Sequence, residues 1–201
     1  LVRHPRAPLP AWSIVGGKLT TCRSLAETAA AEVLAALGRP VMGTSRERPL
    51  PGACAGTARE AAVREAAAAA GRCGLGPGRA AAAAERLVGL FGSRAAAACE
   101  TGRARPGAIR GTPLPRAAVE FCVDHEWARS LDDLVERRLM LAFDPALCRG
   151  AVADVAAVLA DLGILSRGEV AAAAAACAAR LESRYDRRLA ADPPDDAAEE
   201  R

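Results

Sequence analysis

Asparagine and glutamine are missing from the 201 residues, and lysine occurs once, at Lys18, among 27 lysine and arginine residues. This pattern reads as the codon bias of a GC-rich genome and carries no message about thermostability. Aromatic residues make up 3% of the chain, so a core has to be built from alanine and aliphatic side chains and gains less per residue than one of Leu and Phe. The cysteines at 22, 54, 73, 99, 122, 148 and 177 contain no Cys-x-x-Cys pair. That argues against a disulfide or zinc framework and for small core residues in a reducing compartment. Two histidines and no His-Glu-x-x-His make a poor case for a catalytic zinc site too. No apolar run reaches the length of about 18 that a membrane span needs, and no signal peptide is visible. The net charge of +3 is modest, and acids alternate with arginines along helical faces, so no nucleic-acid footprint emerges.

What is present is organised around Ser13-Ile14-Val15-Gly16-Gly17-Lys18-Leu19-Thr20-Thr21-Cys22-Arg23. Trp12 to Val15 read as a short buried strand, Gly16-Gly17 as a turn, and 18–37 as a helix stopped by Gly38 and Pro40. A lysine at a helix start is opposed by the macrodipole. An anion or an electron-rich ring opposite Lys18 would account for it. Two glycines let a ligand approach the backbone without meeting a Cβ, the helix start offers N–H groups, and Thr20 and Thr21 add hydroxyls for capping or binding. The plain alternative for a bare Gly-Gly-Lys is a strand-to-helix turn with a solvated lysine. Arg23 and Glu27, four apart, either pair on the helix surface or leave Arg23 to bind an anion.

A proline-rich lead-in precedes this stretch, and His4 in it reads as exposed. Beyond it, prolines and glycines between 39 and 56 mark a linker. Helices are expected over 57–71, 79–91, 93–100, 145–163 and 167–190, with an irregular passage over 102–115. Ala118, Phe121 and Cys122 share one helical face, with His125 on the same side. Ser130-x-x-Asp133 before Leu134 reads as a capping box opening a further helix. His125, Glu126, Asp133, Arg137 and Arg138 read as a structural polar network. The mixed-charge tail over 191–201 is expected to be disordered.

The run Gly16-Gly17-Lys18-Leu19-Thr20-Thr21-Cys22-Arg23, followed by Leu25-Ala26-Glu27, closely resembles a signature of the FAD-dependent glycerol-3-phosphate dehydrogenases, with Cys22 where that family has Tyr. Leu50-Pro51-Gly52, Leu90-Phe91-Gly92-Ser93, and the His125-Glu126, Asp132-Asp133 and Arg137-Arg138 pairs resemble further blocks of the same family in the same order. The resemblance implies a mainly α fold. Residues 1–38 would be the strand plus helix that close an α/β FAD-binding domain, 39–56 a linker, and 57–190 an all-α C-terminal domain. It implies FAD as cofactor, contacted by Gly16, Gly17, Lys18, Leu19, Thr20 and Thr21, with no catalytic or metal-ligating residue in this part.

The family's reaction oxidises glycerol 3-phosphate to dihydroxyacetone phosphate and passes electrons to a quinone, or to oxygen in its oxidase branch. A cytoplasmic location is implied, with a peripheral contact on the inner face of the membrane and a homodimer left open. No Gly-x-Gly-x-x-Gly for a dinucleotide pyrophosphate follows a strand, and the first residue is Leu1. The chain is therefore expected to be the C-terminal part of a longer enzyme, without turnover of its own. A stand-alone helical interaction module without enzymatic activity is the alternative, separated from the first by the upstream genomic sequence.

Overall fold

Alanine loses no side-chain entropy on entering a helix, and the alanine-rich runs are helical in the computed structural model, which describes residues 1–100 and 102–193. The chain divides between Leu50 and Pro51 into two units.

The first unit has two short strands, β1 (Val2–Arg3) and β2 (Trp12–Ser13), paired antiparallel with Val2 opposite Ser13 and Arg3 opposite Trp12. A 3-10 turn over Leu19–Thr21 leads into α1 (Cys22–Ala36). The Trp12 indole N–H donates to Glu32 at 2.8 Å and ties β2 to α1. Two expectations change here. The strand ends at Ser13, and it is not buried: Ile14 and Val15 are 63% and 71% exposed. A lone hairpin has no second layer to cover either face.

The second unit is all α. Its first helices, α2 (Thr57–Arg72) and α3 (Pro77–Phe91), form a hairpin in which Ala66, Ala69 and Ala70 of one and Ala83, Ala84 and Leu87 of the other are buried. Small side chains let the two backbones approach closely, and dispersion across that contact stands in for large apolar groups. Helix α3 starts two residues before the expected position because Pro77 suits the first helical position, where no N–H is needed. The helix expected over 93–100 is instead two 3-10 turns, Gly92–Arg94 and Ala97–Cys99.

Helix α4 (Ala117–His125) is buried from Ala117 through Val123, on all sides rather than on one face. The irregular passage before it is ordered. Ile109 N–H donates to Leu114 O at 2.8 Å, both side chains are buried, and Asp154 accepts from the Arg110 amide and the Arg116 guanidinium.

Ser130 and Asp133 form the expected capping box: Ser130 Oγ accepts from the Asp133 amide, and Asp133 accepts from the amides of Ser130 and Arg129, each at 3.1 Å. The helix that follows widens into a π-helical turn over Asp133–Arg138. Helices α5 (Arg149–Asp161) and α6 (Val170–Tyr185) pack together and complete the core. Helix α6 stops five residues before the expected 190. The segment after it returns to the start of α5, where Ala190 N–H donates to Leu147 O and the Gly150 amide donates to Asp192. Residues 194–201 of the expected disordered tail lie outside the described residues.

Candidate functional site

Between β2 and α1 the backbone runs extended through Gly16 and Gly17 to Lys18 (φ −128°, ψ 126°) and then tightens into the Leu19–Thr21 turn. Neither glycine has a positive φ, so the stretch is a passage rather than the expected turn. The glycines matter through space instead. A Cβ on Gly16 would stand 3.0 Å from Leu25 Cδ2, whereas one on Gly17 would meet nothing within 4 Å. The chain is thus bare at Gly17. Thr21 does not cap α1: its hydroxyl donates back to the Lys18 carbonyl at 3.1 Å.

Gly16, Gly17, Lys18, Leu19, Thr20 and Thr21 are all exposed, Leu19 at 86%. Lys18 makes no ion pair among the described residues. The six predicted contact residues are therefore neighbours on one open surface, next to the exposed Ile14 and Val15, and no described residue closes over them.

Arg23 and Glu27 do not pair with each other. Arg23 donates to the Ser45 carbonyl, and Glu27 accepts from the Ser45 amide at 2.6 Å and from the Thr44 hydroxyl at 2.9 Å. Hydrogen bonds from Ser45, then from Thr44, hold the Glu27 carboxyl below its ordinary pKa. Both side chains thus fasten the 39–48 loop along α1. A groove of about 880 Å³ runs between them, with Ala30, Ala31, Leu34, Val41 and Met42 in its walls. Sequence reasoning gave this loop only the role of a linker. The polar pair Thr44-Ser45 opposite Glu27 is the signal that could have found its docking.

The second unit brings the other motifs together. Gly52 (φ +86°) and Gly92 (φ +57°) lie back to back: a Cβ on Gly52 would be 2.6 Å from Phe91 O, and one on Gly92 would be 1.6 Å from Gly52 O. The Ser93 amide donates to Gly52 O at 2.9 Å. Only glycine suits either place, through both backbone angle and space. Leu-Pro-Gly and Phe-Gly-Ser, 40 residues apart in the chain, are the two halves of one backbone lock.

Beside it Glu126 pairs with Arg94 (3.8 Å) and Arg138 (3.6 Å), and Arg94 lies over the Phe121 ring at 4.7 Å. Phe121 also meets Phe91 edge-on (5.1 Å) and His125 (4.9 Å). Arg137 pairs with Asp133. The expected single network is thus two clusters, Glu126 with Arg94 and Arg138, and Asp133 with Arg137, while among the described residues His125 meets only the Phe121 ring; Arg94 is the member that sequence reasoning missed. Its position one residue after the Phe-Gly-Ser block is the only hint of it. No group of three or more His, Cys, Asp or Glu side chains able to hold a metal occurs among the described residues.

No curated protein and no solved structure matches the chain. A family model described as the C-terminal domain of alpha-glycerophosphate oxidase matches residues 43–166. The match takes in the Gly52/Gly92 lock, the Glu126 network and the Ser130/Asp133 box, and leaves the Gly16–Thr21 stretch outside it. It spans more than half of the 201 residues, so the chain belongs to the alpha-glycerophosphate oxidase C-terminal domain family, a C-terminal portion of an FAD-dependent glycerol-3-phosphate dehydrogenase.

Proposed function

We propose that the chain serves an enzyme that oxidises glycerol 3-phosphate to dihydroxyacetone phosphate and passes the electrons to a quinone, and that Gly16 to Thr21 contact its FAD. The family match over 43–166 is the observation that carries this reading. In the same reading, residues 1–38 close the FAD-binding domain, 39–56 join it to the helical domain over 57–190, and the enzyme works in the cytoplasm, peripherally on the inner face of the membrane and as a homodimer.

The residues present suit the cofactor. Gly17 leaves open space where a Cβ would block a planar ring, Lys18 supplies an exposed cation, and Leu19 begins a helical turn whose first N–H groups have no partner within the turn. The flavin, when bound, accepts the hydride. Lys18 and the Leu19–Thr20 amides would then offset the negative charge that arrives on the pyrimidine side of the ring. Ile14, Val15 and Leu19 would shield that charge pair from water and so strengthen it. The base for the substrate hydroxyl and the phosphate-binding groups are assigned to other parts of the enzyme, and the 201 residues alone are expected to show no turnover.

The test uses the full-length enzyme with Lys18 intact and with Lys18→Ala. Each is examined for its flavin spectrum and for flavin reduction by glycerol 3-phosphate. Bound flavin that is reduced at least tenfold more slowly in the variant supports the reading. Equal reduction rates remove Lys18 from the site. No flavin in either protein sinks the assignment and leaves a helical interaction module.

A further inference from the structure

We infer that Cys73 and Cys99 form an oxidisable dithiol, which hydrogen peroxide converts into an intrachain disulfide tying the end of α2 to the Ala97–Cys99 turn. Cys73 follows the last residue of α2, and its sulfur lies 2.7 Å from the Cys99 carbonyl oxygen. The contact sets the Cys73 thiol beside the residue that bears the second thiol, Cys99. They are 26 positions apart in sequence, so the fold, and not the local chain, has brought them together.

Both residues line one solvent-connected pocket of about 300 Å³, together with Arg72, Glu100 and Arg105. A molecule the size of hydrogen peroxide has room there. Cys73 is half-buried and Cys99 is 4% exposed, which assigns Cys73 as the sulfur that meets the oxidant and Cys99 as the one that resolves it.

The chemistry balances. The Cys73 thiolate attacks one peroxide oxygen, the O–O bond breaks, and a sulfenic acid and one water result. The Cys99 sulfur then attacks the Cys73 sulfur, the S–O bond breaks, and the hydroxyl leaves as a second water. Two thiols are oxidised by two electrons, and one peroxide is reduced to two waters.

Desolvation raises the pKa of both thiols, that of Cys99 to about 12. The neighbouring Arg72 acts in the opposite direction on each. The reaction is therefore slow at neutral pH and accelerates as the pH rises, because the thiolate is the reacting form. This chemistry stands apart from the flavin reading and does not depend on it.

The experiment treats the reduced chain with hydrogen peroxide at equimolar and tenfold ratios, then maps tryptic peptides without reduction. The expected product is a cross-link between peptides 73–79 and 95–103, with a loss of about 2 Da from the intact mass and reversal by dithiothreitol. The oxidised form should melt about 5 °C higher, since the bond closes a long loop in the unfolded chain. Cys73→Ser and Cys99→Ser should each abolish the link. Sulfinic or sulfonic acid on Cys73 with Cys99 still open to alkylation would overturn the inference. A link that joins Cys22 of two molecules and leaves 73 and 99 reduced would do the same. The wild-type map decides even if a serine variant fails to fold.

Discussion

Helix α1 in the first unit and helices α2 and α3 in the second are made of nearly the same material, alanine-rich segments of 15 or 16 residues, yet they end in opposite circumstances. None of residues 1–50 is buried, whereas α2 and α3 bury Ala66, Ala83, Ala84 and Leu87 completely. Alanine favours helix but buries little area, so such a helix acquires a core only where a second one meets it closely. Helix α2 has that partner in α3. Helix α1 has a hairpin of two-residue strands and a loop, held by Trp12–Glu32 and by Glu27 on Thr44 and Ser45. The first unit is fastened by polar contacts, the second by packing.

The comparison breaks most sharply at Gly92. Gly92→Val would push a Cβ into the Gly52 carbonyl and hold a branched residue at positive φ. We expect a loss of more than about 4 kcal/mol, or no folded second unit, read from urea unfolding. If Gly92→Val is tolerated, the Gly52/Gly92 lock is not what joins the two motifs. Next comes Leu87→Ala, which opens a cavity in the α2/α3 contact and should cost about 3 kcal/mol by the same measurement.

Glu120 gives a smaller effect with a pH signature. It is 3% exposed and accepts from the amides of Arg103 and Ala104 and from the Arg103 guanidinium. Burial would raise its pKa, but the Ala104 amide and Arg103 outweigh that and hold the carboxyl below 4.5. A folded-state pKa below the unfolded one contributes stability that is complete above about pH 4.5 and is lost as the pH falls through the lowered value. Glu120→Gln should cost about 1–2 kcal/mol at pH 7. It should also flatten the decline of stability below pH 4.5 in acid melts. An unchanged slope would mean that other carboxylates set it.

The smallest effect belongs to the first unit. Ile14→Ser should alter the stability of the 201-residue chain by less than about 0.5 kcal/mol, because the side chain is already in water. In the full-length enzyme the same change should cost at least 1 kcal/mol more if the flavin domain covers Ile14. Equal costs in the two proteins would show that this surface stays bare.

Much of the helical domain was legible in advance because its signals are local. Alanine runs placed α2 and α3 within two residues of their observed ends, and Ser130-x-x-Asp133 marked a helix start by a hydrogen-bond pattern that four residues contain in full. Asp133 accepting from Ser130 needs nothing else from the chain. The 93–100 segment misled because its composition favours helix, while the Gly52/Gly92 lock imposes a backbone that breaks it at its first residue. The apolar run from Trp12 to Val15 reads as a buried strand because composition cannot say whether a second layer exists to cover it.

The candidate site divides in the same way. The family resemblance named Gly16 through Thr21, and the neighbours in sequence are also neighbours on the surface. The sequence alone determined α2, α3, the Ser130/Asp133 cap and the family. Tertiary structure alone decided that Gly52 meets Gly92, that Arg94 joins Glu126 over Phe121, and that Cys73 faces Cys99. Each of these pairs residues more than 25 positions apart. Local propensity acts over a turn or two, whereas such contacts exist only once packing has selected one arrangement of the helices.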